Sequence, residues 1–211
     1  MKIGILGSGL MGSQLGRIWA ASRHDVLFSY ARNKTKLDML AREYGALSGR
    51  VDEAVRYADA LLLAVHWSRI PDVLEQAGSL KDKIVLNCSV PLNDANTELV
   101  LGTNTSGAEE LARMRPEARW VSCFNTVPSE AFAPVFARKG QMPPPQVLTY
   151  GDDPSAKKIA QKLIRDAGFE PLDAGPLRTA RFAEPFAMVT AELAYSHSGG
   201  PALTYRFTKL R

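Results

Sequence analysis

A chain of 211 residues, 45% hydrophobic and 23% charged, is long enough to bury a full core and has a globular rather than a disordered or fibrous composition. No apolar run reaches the roughly 18 residues of a membrane span, and Met1 leads directly into a strand without a charged region or cleavage site. The expectation is therefore no membrane span, no membrane partner, no signal peptide and a cytoplasmic location. A net charge of +4 and a pI near 9.1 ask for an anionic partner, but the basic residues are scattered, so a nucleotide cofactor accounts for them better than a nucleic acid does.

The chain opens with a short apolar strand over residues 2–6, which runs into Gly7-Ser8-Gly9-Leu10-Met11-Gly12 and then a helix over 10–21. This is the G-x-G-x-x-G pattern of a dinucleotide-binding βαβ unit. Its glycines serve, in order, a sharp turn, a close backbone approach to pyrophosphate, and tight packing of helix on strand. The helix that follows aims its free N–H groups and the positive end of its dipole at the phosphates. Alone the pattern is also that of an ordinary strand-to-helix turn; its place after a strand and before an amphipathic helix gives it meaning. Met11, Leu15, Ile18 and Trp19 recur at helical spacing and form the core face.

A second strand over 25–29 ends at Tyr30-Ala31-Arg32-Asn33-Lys34, with Lys36 just beyond. An Asp or Glu there would accept the 2′-hydroxyl of NAD. With no carboxylate and several cations, the stretch accommodates a 2′-phosphate and argues for NADP(H); the alternative is a solvated basic helix start. After a helix over 36–44 and a short strand near 45–48, a helical segment over 51–57 precedes the buried strand 60–65. That strand delivers Val65, His66 and Trp67 to the carboxyl edge, where ligands of open parallel sheets lie.

A helix over 70–76 and a strand over 83–88 bring Ser89 and Val90 to the same edge. Residues 93–106 read as a loop over the site, followed by a helix over 107–114. Strand 120–124 ends in Asn125-Thr126, and Ser129 is placed to cap the next helix. The three prolines of 140–145 form a rigid connector. After strand 146–150, Asp153 and Pro154 open a helix over 155–167, a capping role that outweighs a catalytic one for these carboxylates. A strand over 170–173 leads to a C-terminal helix over 178–195, expected to break or kink near Pro185. Strands alternating with helices predict an α/β Rossmann-type doubly wound, mainly parallel sheet of seven or eight strands. Residues 1–175 form the dinucleotide-binding domain, and 176–211 a helical extension that completes the second-substrate pocket and offers a dimer seam.

Taken together, these residues resemble a known family, the NADPH-dependent reductases of coenzyme F-420 (an 8-hydroxy-5-deazaflavin), with relatives in the cytoplasmic domains of the STEAP metalloreductases. The resemblance covers nearly the whole chain. It rests on the glycine pattern at 7–12, residues 29–36, Val65-His66-Trp67, Lys83-Ile84-Val85, Asn125-Thr126-Val127-Pro128, and Gly151-Asp152-Asp153 followed by Leu172-Asp173-Ala174-Gly175-Pro176-Leu177. The chain has Asn125 where that family has a histidine, and Tyr30-Ala31 where it has Ser-Arg. The resemblance implies direct hydride transfer between the nicotinamide of NADPH and a deazaflavin or flavin, chemistry that needs positioning and dryness rather than a nucleophile or metal.

Consistent with that, His24, His66 and His197 lack metal-ligand spacing, and Cys88 and Cys123 sit in apolar strands outside any redox spacing, as buried thiols in a reducing compartment. His66 is either a general acid or a strand-end histidine that contacts nicotinamide or backbone. Asn125 and Thr126 either bond the carboxamide or the second ring, or satisfy a turn. Arg178, Arg181, Arg206, Lys209 and Arg211, with Phe182, Phe186, Tyr195, Tyr205 and Phe207, surround the expected second pocket. A homodimer acting on a small-molecule redox partner is the reading. The alternatives are a non-catalytic NADP(H)-binding sensor and a dehydrogenase of a small carbonyl or imine.

Overall fold

A computed structural model describes every residue except Arg32 and Arg211. The chain alternates strand and helix as β1 (Lys2–Leu6), α1 (Leu10–Ala21), β2 (Asp25–Ser29), α2 (Lys34–Glu43), β3 (Leu47–Ser48), α3 (Val51–Tyr57), β4 (Ala60–Leu63), α4 (Ile70–Ala77) and β5 (Ile84–Asn87). It continues through α5 (Gly107–Met114), β6 (Arg119–Cys123), α6 (Phe132–Ala137), β7 (Gln146–Gly151), α7 (Pro154–Asp166), β8 (Glu170–Gly175) and α8 (Ala180–Tyr195). The strands form one eight-stranded sheet in the order β3-β2-β1-β4-β5-β6-β7-β8. All neighbours are parallel except β6 and β7, which run antiparallel. The order reverses between β1 and β4, and at that switch point the carboxyl ends of two strands diverge and leave a crevice.

Both faces of the sheet are covered, which is why β4 and β5 are apolar without alternation and fully buried. On one face α1, α2, α6 and α7 enclose edge-to-face rings, with Phe124 centred 6.2 Å from Trp19 and 5.6 Å from Phe132. On the other face α3, α4, α5 and α8 pack over Leu61, Leu63, Val85 and Tyr150. Cys88 and Cys123 are buried, and burial pushes the Cys88 thiol up to about 12. Among the described residues no helix is long and apolar enough to cross a membrane.

The signature at 151–153 and 172–177 is a structural lock. Asp153 accepts from the Ser155 and Ala156 N–H groups and caps α7, and Asp152 accepts from Leu177 N at 2.9 Å, which ties β7 to the turn before α8. Lys157 holds Asp173 at 2.9 Å. Two expectations need correction. Ser129 does not cap a helix: it lies inside a 3₁₀ turn, Ser129–Ala131, and its hydroxyl donates to Glu130. The C-terminal helix does not break at Pro185: α8 runs through it to Tyr195, with the proline inside the helix and a 3₁₀ turn at Leu177–Thr179 before it. α2 also starts at Lys34 rather than 36, since Asn33 accepts from Thr35 N at 2.8 Å and caps it.

Candidate functional site

The turn from β1 into α1 shows three glycines under three different constraints. Gly7 has φ +115°, and a Cβ on it would lie 2.3 Å from the Ala64 carbonyl of the β4 end. On Gly12 a Cβ would come within 1.8 Å of the Gly7 carbonyl, so this glycine is what lets α1 pack on the strand end. Gly9 differs from both: among the described residues nothing lies within 4 Å of its Cβ position, and it precedes α1 with no side-chain cap. The first N–H groups of α1, at Leu10, Met11 and Gly12, therefore face open space with the dipole behind them. Leu10 projects outward, 73% exposed, and Met11 is half-buried against the core. Ser8 is buried, and its hydroxyl donates to Ser29 O.

Next to this turn lies a cavity of about 1710 Å³. It gathers Gly7, Ser8, Gly9, Tyr30, Ala31, Asn33, Lys34, Lys36, Val65 and His66 of the expected site and adds Arg69 and Asp72, which the sequence did not single out. Arg32 lies outside the described residues. Tyr30 takes φ +57° at the end of β2, and its hydroxyl donates to Asp72 on α4 at 2.5 Å, which together with Gln76 holds that carboxyl below its usual range. The other carboxylates of the cavity are likewise engaged: Asp38 by the Ser48 hydroxyl, Asp52 by Arg50 and Arg56, and Glu53 by Arg50 N. Among the described residues Lys34 and Lys36 make no side-chain hydrogen bond or ion pair.

His66 is half-buried just past β4. Its Nδ1 accepts from Ser68 N at 3.2 Å, which fixes the proton on Nε2, and that nitrogen donates to the Asn93 carbonyl at 3.2 Å. The ring thus caps the 3₁₀ turn Trp67–Arg69 and pins the start of the 93–106 loop. Trp67 packs against the core on the α3–α4 side. Ser89, buried past β5, donates to Val65 O at 2.8 Å and stitches the two strand ends together, with Val90 half-buried beside it.

At the end of β6, Phe124 adopts φ +65° and turns the chain so that Asn125 and Thr126 follow inward. Asn125 Nδ2 donates to the Tyr150 hydroxyl at 2.6 Å, and its Oδ1 is buried without a partner. Thr126 Oγ1 bonds the Tyr205 hydroxyl at 2.7 Å. Trp67, Ser89, Val90, Asn125 and Thr126 do not line the large cavity. Of the cations expected around a second pocket, Arg181 pairs with Glu109 at 2.7 Å and Arg206 with Glu170 at 2.5 Å, while Arg211 lies outside the described residues. Phe186, Tyr205 and Phe207 pack on one another, with centroids 5.4 to 6.2 Å apart.

Sequence reasoning missed Glu184. This α8 residue is 2% exposed, and its carboxylate accepts from Gly107 N at 2.8 Å and Ala108 N at 3.0 Å, which anchors the far end of the 93–106 loop. Burial raises its pKa to about 7 against the pull of those two N–H groups. A carboxylate on the apolar stripe of an amphipathic helix was the available signal.

The sequence profile of the family described as NADP oxidoreductase, coenzyme F420-dependent, matches residues 2–91. The chain is 30% identical over 183 residues, 87% of its length, to the metalloreductase STEAP3 of Rattus norvegicus, of which it spans 36%. Its fold superposes on a protein from Arthrobacter sp. FB24, provisionally assigned as an F420-dependent NADP-reductase, with a TM-score of 0.87 at 22% identity over 99% of this chain and 100% of that one. An imine reductase of Streptomyces aurantiacus gives a TM-score of 0.67 at 13% identity, over 92% of this chain and 61% of that one. The profile of the NADP oxidoreductases described as coenzyme F420-dependent thus matches the N-terminal part of the chain, β1 through the end of β5.

Proposed function

We propose that this chain binds NADP(H) and passes a hydride between it and a flat-ringed acceptor, the deazaflavin of a coenzyme of the F-420 type or a flavin. One observation carries the reading: the open α1 terminus at Gly9 and the uncommitted Lys34 and Lys36 share a cavity in which every carboxylate is held by a protein group. That leaves backbone N–H groups for a pyrophosphate and two ammonium groups for a 2′-phosphate. The profile match over residues 2–91 and the name of the Arthrobacter protein support the same reading.

The cofactor, when bound, supplies the hydride from its nicotinamide. The chain's own residues position and enclose. Gly7 and Gly9 let the backbone come close, Gly12 lets α1 pack on the strand end, and Val65 offers an apolar wall. The 93–106 loop, held at one end by His66 and at the other by Glu184, keeps water from the carboxyl edge of β5. No side chain has to take up or release a proton for hydride to move between two carbons. On α8 the apolar stripe of Phe182, Val189 and Leu193, each about half exposed or more, supports a homodimer.

The test is to mix the protein and NADPH with F-420, FMN, FAD and an imine in separate reactions and follow loss of NADPH absorbance. Turnover with F-420 or a flavin is the expected result. Turnover with the imine alone, or NADPH binding with no turnover at all, rejects the acceptor assignment.

A further inference from the structure

A second cavity, of about 750 Å³, shares no lining residue with the dinucleotide cavity. It lies between the end of α6, the 140–145 connector, the α7–β8 turn and the tail after α8, and its volume is that of a small-molecule site. Its walls are preformed. Pro143, Pro144 and Pro145 are rigid and have no N–H to satisfy. Gly168, at φ +93°, brings the α7–β8 turn against α6, where a Cβ would lie 3.3 Å from the Val135 carbonyl. The tail is stitched in place: Gln146 N donates to Tyr205 O at 2.9 Å, and Arg206 donates to Pro144 O at 2.6 Å and to Glu170.

The lining combines apolar surface with positive charge. Val135, Phe169 and the Tyr205 ring supply the first; Arg138, Arg165 and Lys139 supply the second; and no Asp or Glu lines the cavity among the described residues. Lys139 is engaged with Asp166 O. Arg138 and Arg165, among the described residues, make no side-chain hydrogen bond or ion pair, although each can donate five. The nearby carboxylates are already held, Asp166 by Lys162 and His24, and Glu170 by Arg206. Two guanidinium groups at the mouth of an apolar, acid-free cavity leave a bound anion as the missing partner.

We propose that this cavity is a second ligand site that takes a small amphipathic organic anion, a carboxylate, sulfonate or phosphate on a flat apolar body. The body packs on Val135 and the Tyr205 ring, and the anionic head meets Arg138 and Arg165. Because the Tyr205 hydroxyl is held by Thr126, past the end of β6, an occupant presses on a side chain bonded to the carboxyl edge of the sheet.

Calorimetric titration of the full chain with naphthalene-2-sulfonate and with its neutral counterpart 2-naphthylmethanol, each with and without saturating NADP⁺, tests this. The expected result is one equivalent of sulfonate bound, independently of NADP⁺, about tenfold more tightly than the alcohol, the gain of a charge-assisted hydrogen bond. Replacing both exposed arginines, Arg138→Gln with Arg165→Gln, should reduce the sulfonate to the affinity of the alcohol. Val135→Trp should block both compounds, and if that variant fails to fold, the arginine pair decides. Equal affinity for the two compounds, no effect of the arginine pair, displacement by NADP⁺, or no binding of either each overturns the proposal.

Discussion

The two ends of the sheet's carboxyl edge are built on opposite plans. At β1 and β2 the polar groups are left open: among the described residues the first N–H groups of α1 and the side chains of Lys34 and Lys36 have no protein partner, and no described atom lies within 4 Å of the Gly9 Cβ position. At β5 and β6 nearly every polar group is closed on another part of the chain, Ser89 on Val65, Asn125 on Tyr150, Thr126 on Tyr205, and Glu184 on the start of α5. On the proposed function the open end keeps its donors free for the charged part of a ligand, while the closed end uses its donors to hold itself rigid.

The sharpest way to break this contrast lies in the glycines. Gly12→Val inserts a side chain where even a Cβ has only 1.8 Å to the Gly7 carbonyl, and is expected to cost about 3 kcal/mol or more in urea unfolding together with all NADPH binding. Gly9→Ala meets no protein atom, so its stability should stay within about 0.5 kcal/mol of the parent while NADPH binding weakens. If both variants lose stability equally, Gly9 serves the fold and not a ligand.

Glu184 probes the closed end. Its pKa is raised in the folded state to about 7 from an ordinary 4.5, so between those values the native chain holds a proton that the unfolded chain has released. The stability this group contributes is complete below about pH 4.5 and is lost as pH rises through 7, by about 3 kcal/mol in total. His24, lowered by burial, acts oppositely, losing stability as pH falls below 6.5. The difference between the parent and Glu184→Gln isolates the carboxyl: chemical unfolding at pH 5 and pH 8 should show the variant gaining on the parent as pH rises. A constant difference refutes the assignment. Glu184→Ala, which leaves two buried N–H groups unpaired, should cost about 2 to 4 kcal/mol at pH 5 and less at pH 8, where the parent has lost part of the carboxyl's contribution.

The legibility of the two ends follows the same divide. The open end was readable because its determinants are local, glycines at a turn and a run of cations at a strand end, although the Asn33 cap that starts α2 at Lys34 was missed. The closed end was not, since Thr126 meets Tyr205 across 79 positions and Gly107 meets Glu184 across 77, and no periodicity encodes such a pairing. Ser129 was misplaced for a related reason: a serine before an acidic residue reads as a cap, but the preceding Pro128 starts a 3₁₀ turn one position early. The fold class and strand ends were recoverable from apolar runs; the antiparallel entry of β7 depends on a long connector and was not foreseen.

Charge at the open end is a smaller lever than the glycines. Lys34→Ala with Lys36→Ala should weaken NADPH by about 1.5 to 3 kcal/mol and leave NADH nearly unchanged, because only the former carries a 2′-phosphate to lose contact with. Fluorescence titration of both cofactors checks this, and equal losses for the two place the lysines elsewhere than at the 2′-phosphate.

His66 stands between the two ends, and the smallest effect is expected there. Both ring nitrogens are occupied, Nδ1 by Ser68 and Nε2 by the Asn93 carbonyl, so the imidazole has no proton position facing a substrate while those bonds hold. Its work is mechanical: it fastens the loop at Asn93, whose side chain in turn organises the loop by accepting from Thr97 N at 2.9 Å. Removing the ring should therefore loosen the loop more than it slows the chemistry. His66→Ala is expected to lower turnover by less than the roughly hundredfold that loss of a general acid brings, and to speed amide hydrogen exchange at 93–100, with NADPH affinity little changed. Ser68→Ala, which removes one ring partner and no candidate acid, should reproduce part of the exchange change with still less effect on turnover. A turnover loss well beyond hundredfold in His66→Ala with the loop's exchange unaltered would make the imidazole a proton donor and move it from the scaffold to the chemistry.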